Sequence, residues 1–86
     1  MEKRIGVIGI VVESREESGE IVNSVISSYA SIIVGRMGIP YRERGISVIS
    51  LIVEGTTDDI GGLTGKLGNI KGVTVKSALT ARKFKD

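Results

Sequence analysis

ISVISLIVEGTTDDIGGLTGKLGNIKGVTVKSAL, residues 46–79, reads as a strand, a glycine-studded helix and a second strand. Residues 46–53 are β-branched and aliphatic but for Ser47 and Ser50, the pattern of a strand apolar on both faces, and Glu54-Gly55 ends the run. Thr56 followed three residues later by Asp59 is a capping-box start, and Asp58 and Asp59 put negative charge at the positive end of the helix dipole. Gly68-Asn69 is a C-terminal stop. Ile60, Leu63, Leu67 and Ile70 recur at helical spacing and form one apolar stripe. Gly61, Gly65 and Gly68 form a second stripe beside it. Glycine inside a helix costs about 1 kcal/mol relative to alanine, so Gly61, Gly62 and Gly65 together weaken this helix by about 3 kcal/mol. The expected return is close packing, either of the helix on its own sheet or of another subunit or a ligand against it.

Outward from this unit the pattern repeats. RIGVIGIVVE (4–13) is apolar on both alternating sets, which suits a central strand. Its Gly6 and Gly9 lie inside the strand, without the third glycine of a dinucleotide fingerprint. Ser14 with Glu17 opens a helix over residues 15–30, with Ile21, Val22, Val25, Ile26 and Tyr29 as its apolar face and Asn23, Ser24, Ser27 and Ser28 pointing away. SIIVGRMGI (31–39), interrupted by Gly35 and Gly38, suits an edge strand, and PYRERG (40–45) a loop. Residues 73–80 alternate as a half-buried strand with Lys76 guarding its edge, and 81–86 read as a polar tail.

The order βαββαβ predicts a ferredoxin-like α+β sandwich in which the first and third strands are central in a four-stranded antiparallel sheet and both helices lie on one face. The 86 residues make one such domain with a small core. Its second sheet face would carry aliphatic side chains into water, a patch uncommon on a monomer, so a second copy is expected to cover it. The chain has no cysteine to supply disulfide staples, and oligomerisation is the usual alternative.

Composition excludes several function classes. There is no histidine or cysteine, which removes imidazole acid/base chemistry, thiol nucleophiles and the common zinc and nickel ligand sets; no metal and no cofactor is expected. The central strands hold no aromatic residue on which RNA bases could stack, and a net charge of +2 is too mild to predict direct nucleic-acid binding. No run is apolar enough to span a bilayer, so a cytoplasmic protein without a membrane role is expected. GGLTGKL (61–67) misses the phosphate-loop spacing and lies within a helix. Asp58 and Asp59 are read as dipole partners before catalytic carboxylates, and Glu13, Arg15, Glu16 and Glu17 as a solvated, capped turn. Arg36 with Tyr41, Arg42 and Arg44 is read as a solvated cluster, with weak anion or DNA-backbone binding as its functional alternative.

GRMGIPY (35–41) and LTGKLGNIKGVTVKS (63–77), with VIGIVVE (7–13) and the Asn23 helix between, resemble the iron-only hydrogenase system regulator family over nearly the whole chain. That family looks like a stand-alone ACT-type domain, similar to the C-terminal sensing domain of the nickel-responsive repressor; LIVEGTTDDIGGLTGKLGNIKGV (51–73) follows the same plan. The resemblance implies a small, non-enzymatic, homo-oligomeric regulator, dimer or tetramer, that binds a small effector at subunit interfaces. The repressor's histidine and cysteine ligands have no counterparts here, so nickel sensing is not carried over. No DNA-reading segment is recognised before the first strand, and contact with DNA would come through a partner protein. By position the effector candidates are Glu13, Ser14, Asn23, Arg36, Tyr41, Thr64 and Lys66. The alternatives are a purely structural oligomerisation module whose glycines allow tight packing, and an enzyme working with carboxylates, lysine and arginine alone.

Overall fold

A computed structural model describes residues 2–85. Strand β1 (Glu2–Val12) leads into helix α1 (Arg15–Ser28), and a 3-10 turn (Ala30–Ile32) into β2 (Ile33–Tyr41). A second 3-10 turn (Arg42–Arg44) precedes β3 (Ile46–Gly55), helix α2 (Thr57–Gly68) and β4 (Val73–Lys85). The strands form one antiparallel sheet in the order β2-β3-β1-β4 with the two central strands as the burial pattern demands, so the fold is the expected ferredoxin-like sandwich.

The central pairing sets Ile8 opposite Leu51 and Ile10 opposite Ile49, which puts these residues on the face beneath the helices. Val22 and Ile26 of α1 and Ile60, Leu63 and Leu67 of α2 close over them, and the whole cluster is buried. Ile21, expected on the apolar face of α1, is instead 52% exposed, because the helix lays Ser18, Val22 and Ile26 on the sheet. Ser18 is buried at no cost in unsatisfied polarity: its hydroxyl donates to the Lys71 carbonyl at 2.9 Å, tying α1 to the connection between α2 and β4.

The opposite face of the sheet is open. Val7 and Ile52 stand opposite each other there, 44% and 47% exposed, and Met37, Ile39 and Tyr41 extend the apolar surface onto β2. The central strands are thus apolar on both faces, as the sequence suggests, but this chain covers only one of them.

Both caps form. The Thr56 hydroxyl accepts from the Asp59 N–H at 3.1 Å, and the Asp59 carboxylate accepts from the Thr56 N–H at 3.3 Å, a complete capping box. Ser14 accepts from the Glu17 N–H at a longer 3.4 Å. Helix α2 ends at Gly68 as read, but the left-handed residue that turns the chain into β4 is Gly72, with φ 77°.

The chain ends differ from expectation. Residues 81–85 are not a tail but the end of β4, and Lys83, Phe84 and Lys85 pair with Arg4, Lys3 and Glu2 of β1; Asp86 lies outside the described residues. A bulge between Arg4 and Gly6 lets β4 make this extension, and the Thr80 hydroxyl donates to the Ile5 carbonyl at 2.8 Å across it. Pro40 and Tyr41 belong to β2, where an edge position tolerates a residue without an N–H.

The glycines of α2 also need correction. A Cβ built at Gly61, Gly65 or Gly68 meets nothing within 4 Å, so these are not close-packing positions within the chain. The close approach is at Gly62, where a Cβ would lie 2.8 Å from the Tyr29 hydroxyl oxygen.

Replacing Gly65 with alanine is therefore expected to raise unfolding stability by about 1 kcal/mol in urea titration, and Gly62→Ala to gain less or lose stability by displacing Tyr29. A destabilised Gly65→Ala protein would show that the bare face of α2 is packed against something. Thr56→Ala is expected to cost about 1 kcal/mol, more than Ser14→Ala, because the hydroxyl it removes accepts at 3.1 Å against 3.4 Å for Ser14; equal losses would contradict this.

Candidate functional site

Helix α1 lies over the central strands and leaves the edge strand β2 uncovered on the helical side. Between them opens a cleft of about 200 Å³. Its floor is the buried apolar trio Val12, Val22 and Ile49, and its rim carries Arg15 and Asn23 from α1 and Arg36 from β2. Arg15, Gly19 and Asn23 recur every four residues, which brings them to one side of the helix with no side chain at the middle position.

Arg36 reaches this side through an irregularity in β2. Ile33 pairs with Val53 but Gly35 pairs with Ile52, so Val34 is an extra residue in the strand. In unbroken alternation from Ile33, Arg36 would point to the open face. The bulge sets it opposite Leu51, on the helical face, and sends Met37, Ile39 and Tyr41 to the open face instead. There its Nη2 donates to Asn23 Oδ1 at 3.1 Å. Neither Arg15 nor Arg36 forms an ion pair among the described residues, and no residue lining the cleft is acidic. The arrangement is a pair of guanidinium groups at the rim of a small apolar hollow. It can attract and orient an anion, and it holds no group suited to transfer a proton at neutral pH.

Of the effector candidates, the structure brings together Asn23 and Arg36. Ser14 is occupied as the cap of α1. Glu13 lies in the turn before it, where its N–H donates to the Gly72 carbonyl at 2.8 Å. Tyr41 is at the far end of β2 on the open face. On α2, the Thr64 hydroxyl donates to the Gly61 carbonyl at 3.2 Å, and the Lys66 ammonium lies 5.1 Å from the centre of the Tyr29 ring. Arg15 and Ser47, which also line the cleft, were not among the candidates. The four-residue spacing of Arg15, Gly19 and Asn23 is the one signal in the sequence that joins Arg15 to Asn23. Asp58 and Asp59 sit in the first turn of α2 as read, and among the described residues no three acidic side chains gather as a metal site.

The fold and cleft can now be set beside known proteins. Residues 4–77 match the model of the TM1266-like family, which carries the description iron-only hydrogenase system regulator. The solved structure of the uncharacterized protein TM1266 from Thermotoga maritima is 40% identical, with a TM-score of 0.87 over 90% of this chain and 96% of that one. A formyltetrahydrofolate deformylase from Pseudomonas putida KT2440 shares the fold at a TM-score of 0.61 and 12% identity, over 85% of this chain and 28% of that one. A protein of unknown role from Galdieria sulphuraria shares it at 0.61 and 8%, over 93% and 46%. No curated protein matches the chain. Among the described residues no helix is long and apolar enough to cross a membrane. With a family model matching 4–77 and a relative 40% identical along almost its whole length, the chain belongs to the TM1266-like family of iron-only hydrogenase system regulators.

Proposed function

We propose that this chain is a non-enzymatic, homo-oligomeric regulatory module of an iron-only hydrogenase system, a dimer or tetramer that binds a small effector at or beside its subunit interfaces. The observation that carries the reading is the open sheet face, where Val7, Met37, Ile39, Tyr41 and Ile52 expose apolar side chains on three strands. A surface of this kind is stabilised by removal from water, and a second copy offers a self-complementary cover through a two-fold axis. The cleft opens along β2, the same strand whose other side feeds that surface, so a molecule held by Arg36 lies one strand's thickness from the proposed interface. Regulation of hydrogenase genes or maturation in the cytoplasm would then pass through a partner protein, DNA-binding in the case of genes. The family membership supports the regulatory half of this reading.

A second reading, a structural oligomerisation module without a ligand, is favoured by the bare face at Gly61, Gly65 and Gly68, which would admit a close neighbour.

Native mass spectrometry of the purified protein separates these readings. The expected spectrum is a dimer or tetramer with excess mass that disappears on denaturation; an oligomer that stays clean with a broad metabolite panel favours the structural module, and a monomer overturns both. Ile52→Lys, on the open face, is expected to weaken assembly by about tenfold or more while circular dichroism stays unchanged, because it would bury an unpaired charge. Ile21→Lys, equally exposed but on α1, should leave the mass unaltered. The reverse pattern would place the interface on the helices.

A further inference from the structure

The chemistry of the cleft is narrow enough to name the class of molecule it takes. We propose that the cleft between α1 and β2 binds a small monocarboxylate with a branched apolar body and no ammonium group. This inference rests on the effector reading above and specifies its ligand.

The charge pattern selects the head group. Arg15 and Arg36 both stand at the rim, and the lining contains no carboxylate to neutralise them. A guanidinium presents five N–H donors in a planar fork matched to a carboxylate, and Asn23 Oδ1 engages Arg36 at Nη2 alone, at 3.1 Å, leaving further donors for a ligand. That contact also holds the guanidinium in one orientation, which lowers the ordering cost of binding. The same pattern excludes an ammonium group. A zwitterion would bring a second positive charge toward two arginines, with only neutral oxygens of Asn23 and Ser47 among the side chains to accept from it.

The floor selects the body. Val12, Val22 and Ile49 are already buried beneath the cleft, and the apolar lining that water still reaches is Pro40 with Ile39 beside it, so a branched aliphatic group laid there leaves water for an apolar surface already in place. Inorganic phosphate would use the arginines and waste the floor. A cleft of about 200 Å³ is small, which suits a compact acid. The bulge at Val34 places Arg36 over this floor; without it the arginine would lie on the other side of the sheet.

The test titrates the intact protein with 3-methyl-2-oxobutanoate, valine and inorganic phosphate, following backbone amides by NMR. The keto acid is expected to shift the amides of Arg15, Gly19, Asn23, Arg36 and Gly38. Valine should bind about tenfold or more weakly because its ammonium faces two arginines, and phosphate about tenfold or more weakly because it forgoes the apolar contact. Arg36→Met and Arg15→Met should each weaken the keto acid by about tenfold or more, and Arg36→Lys should not restore it because an ammonium lacks the planar fork. Lys66→Met, stacked on Tyr29 away from the cleft, should change nothing. Valine or phosphate binding as well as the keto acid would overturn the ligand class, and shifts confined to other residues, or none, would overturn the site. Excess native mass that Arg36→Met retains would leave the effector reading standing with the effector elsewhere; no excess mass and no heat from any metabolite would remove that reading itself.

Discussion

The register of β1 against β3 is the constraint on which the rest of the molecule depends. It sets Ile8 and Ile10 against Leu51 and Ile49 and so decides which face receives the helices. Because both strands are aliphatic on both sides, hydrophobicity alone discriminates weakly between this register and a slip of one residue, which would exchange the two faces. Shape discriminates better. Gly6 lies on the helical face where a Cβ would stand 2.6 Å from Leu79 Cδ2 and 3.1 Å from the Ala78 carbonyl oxygen of β4; the leucine can turn aside but the backbone cannot, and a slipped strand would bring Ile5 or Val7 into that space. The core is thus chosen by a fit as well as by its polarity.

A second constraint acts at the edge. The extra residue at Val34 inverts the alternation of β2, and by doing so it assigns both of that strand's surfaces at once: arginine toward α1, and methionine, isoleucine and tyrosine toward the open side. The polar cleft and the apolar face are therefore not independent features. A single backbone irregularity produces the two, and any change that straightened β2 would put a charge into the apolar surface and remove the cleft's anion-binding group together.

Much of this was legible in sequence where the signal is local. The Thr56–Asp59 box, the stripe of Ile60, Leu63 and Leu67, and the aliphatic runs of the central strands each lie within a dozen residues, and with the βαββαβ order they fix the sandwich. What escaped depends on distant partners. Residues 81–85 are rich in lysine and arginine and mostly exposed, and the strand runs on through them because β1 offers Lys83, Phe84 and Lys85 a ladder from far along the chain. The α2 glycines could be recognised as unfavourable for a helix, but propensity does not say what occupies the missing volume, and within the chain only Gly62 of that helix faces a close neighbour. Asn23 and Arg36 are both effector candidates by position, but their contact is not legible, because the arginine reaches the helical face by a bulge that no periodicity announces.

The long β1–β4 ribbon has one more consequence. It stretches the molecule to 42 Å in its longest dimension and sets Glu2 directly across from Lys85. Because Glu2 and Lys85 are paired on adjacent strands, a tight hairpin joining them would close residues 2–85 into a ring without moving a core residue. The sandwich is then indifferent to where such a ring is cut. The exposed turn at Arg42–Arg44, which buries nothing, is where new termini would disturb the layers least, so the order of elements along the chain is a property of its synthesis more than of its packing.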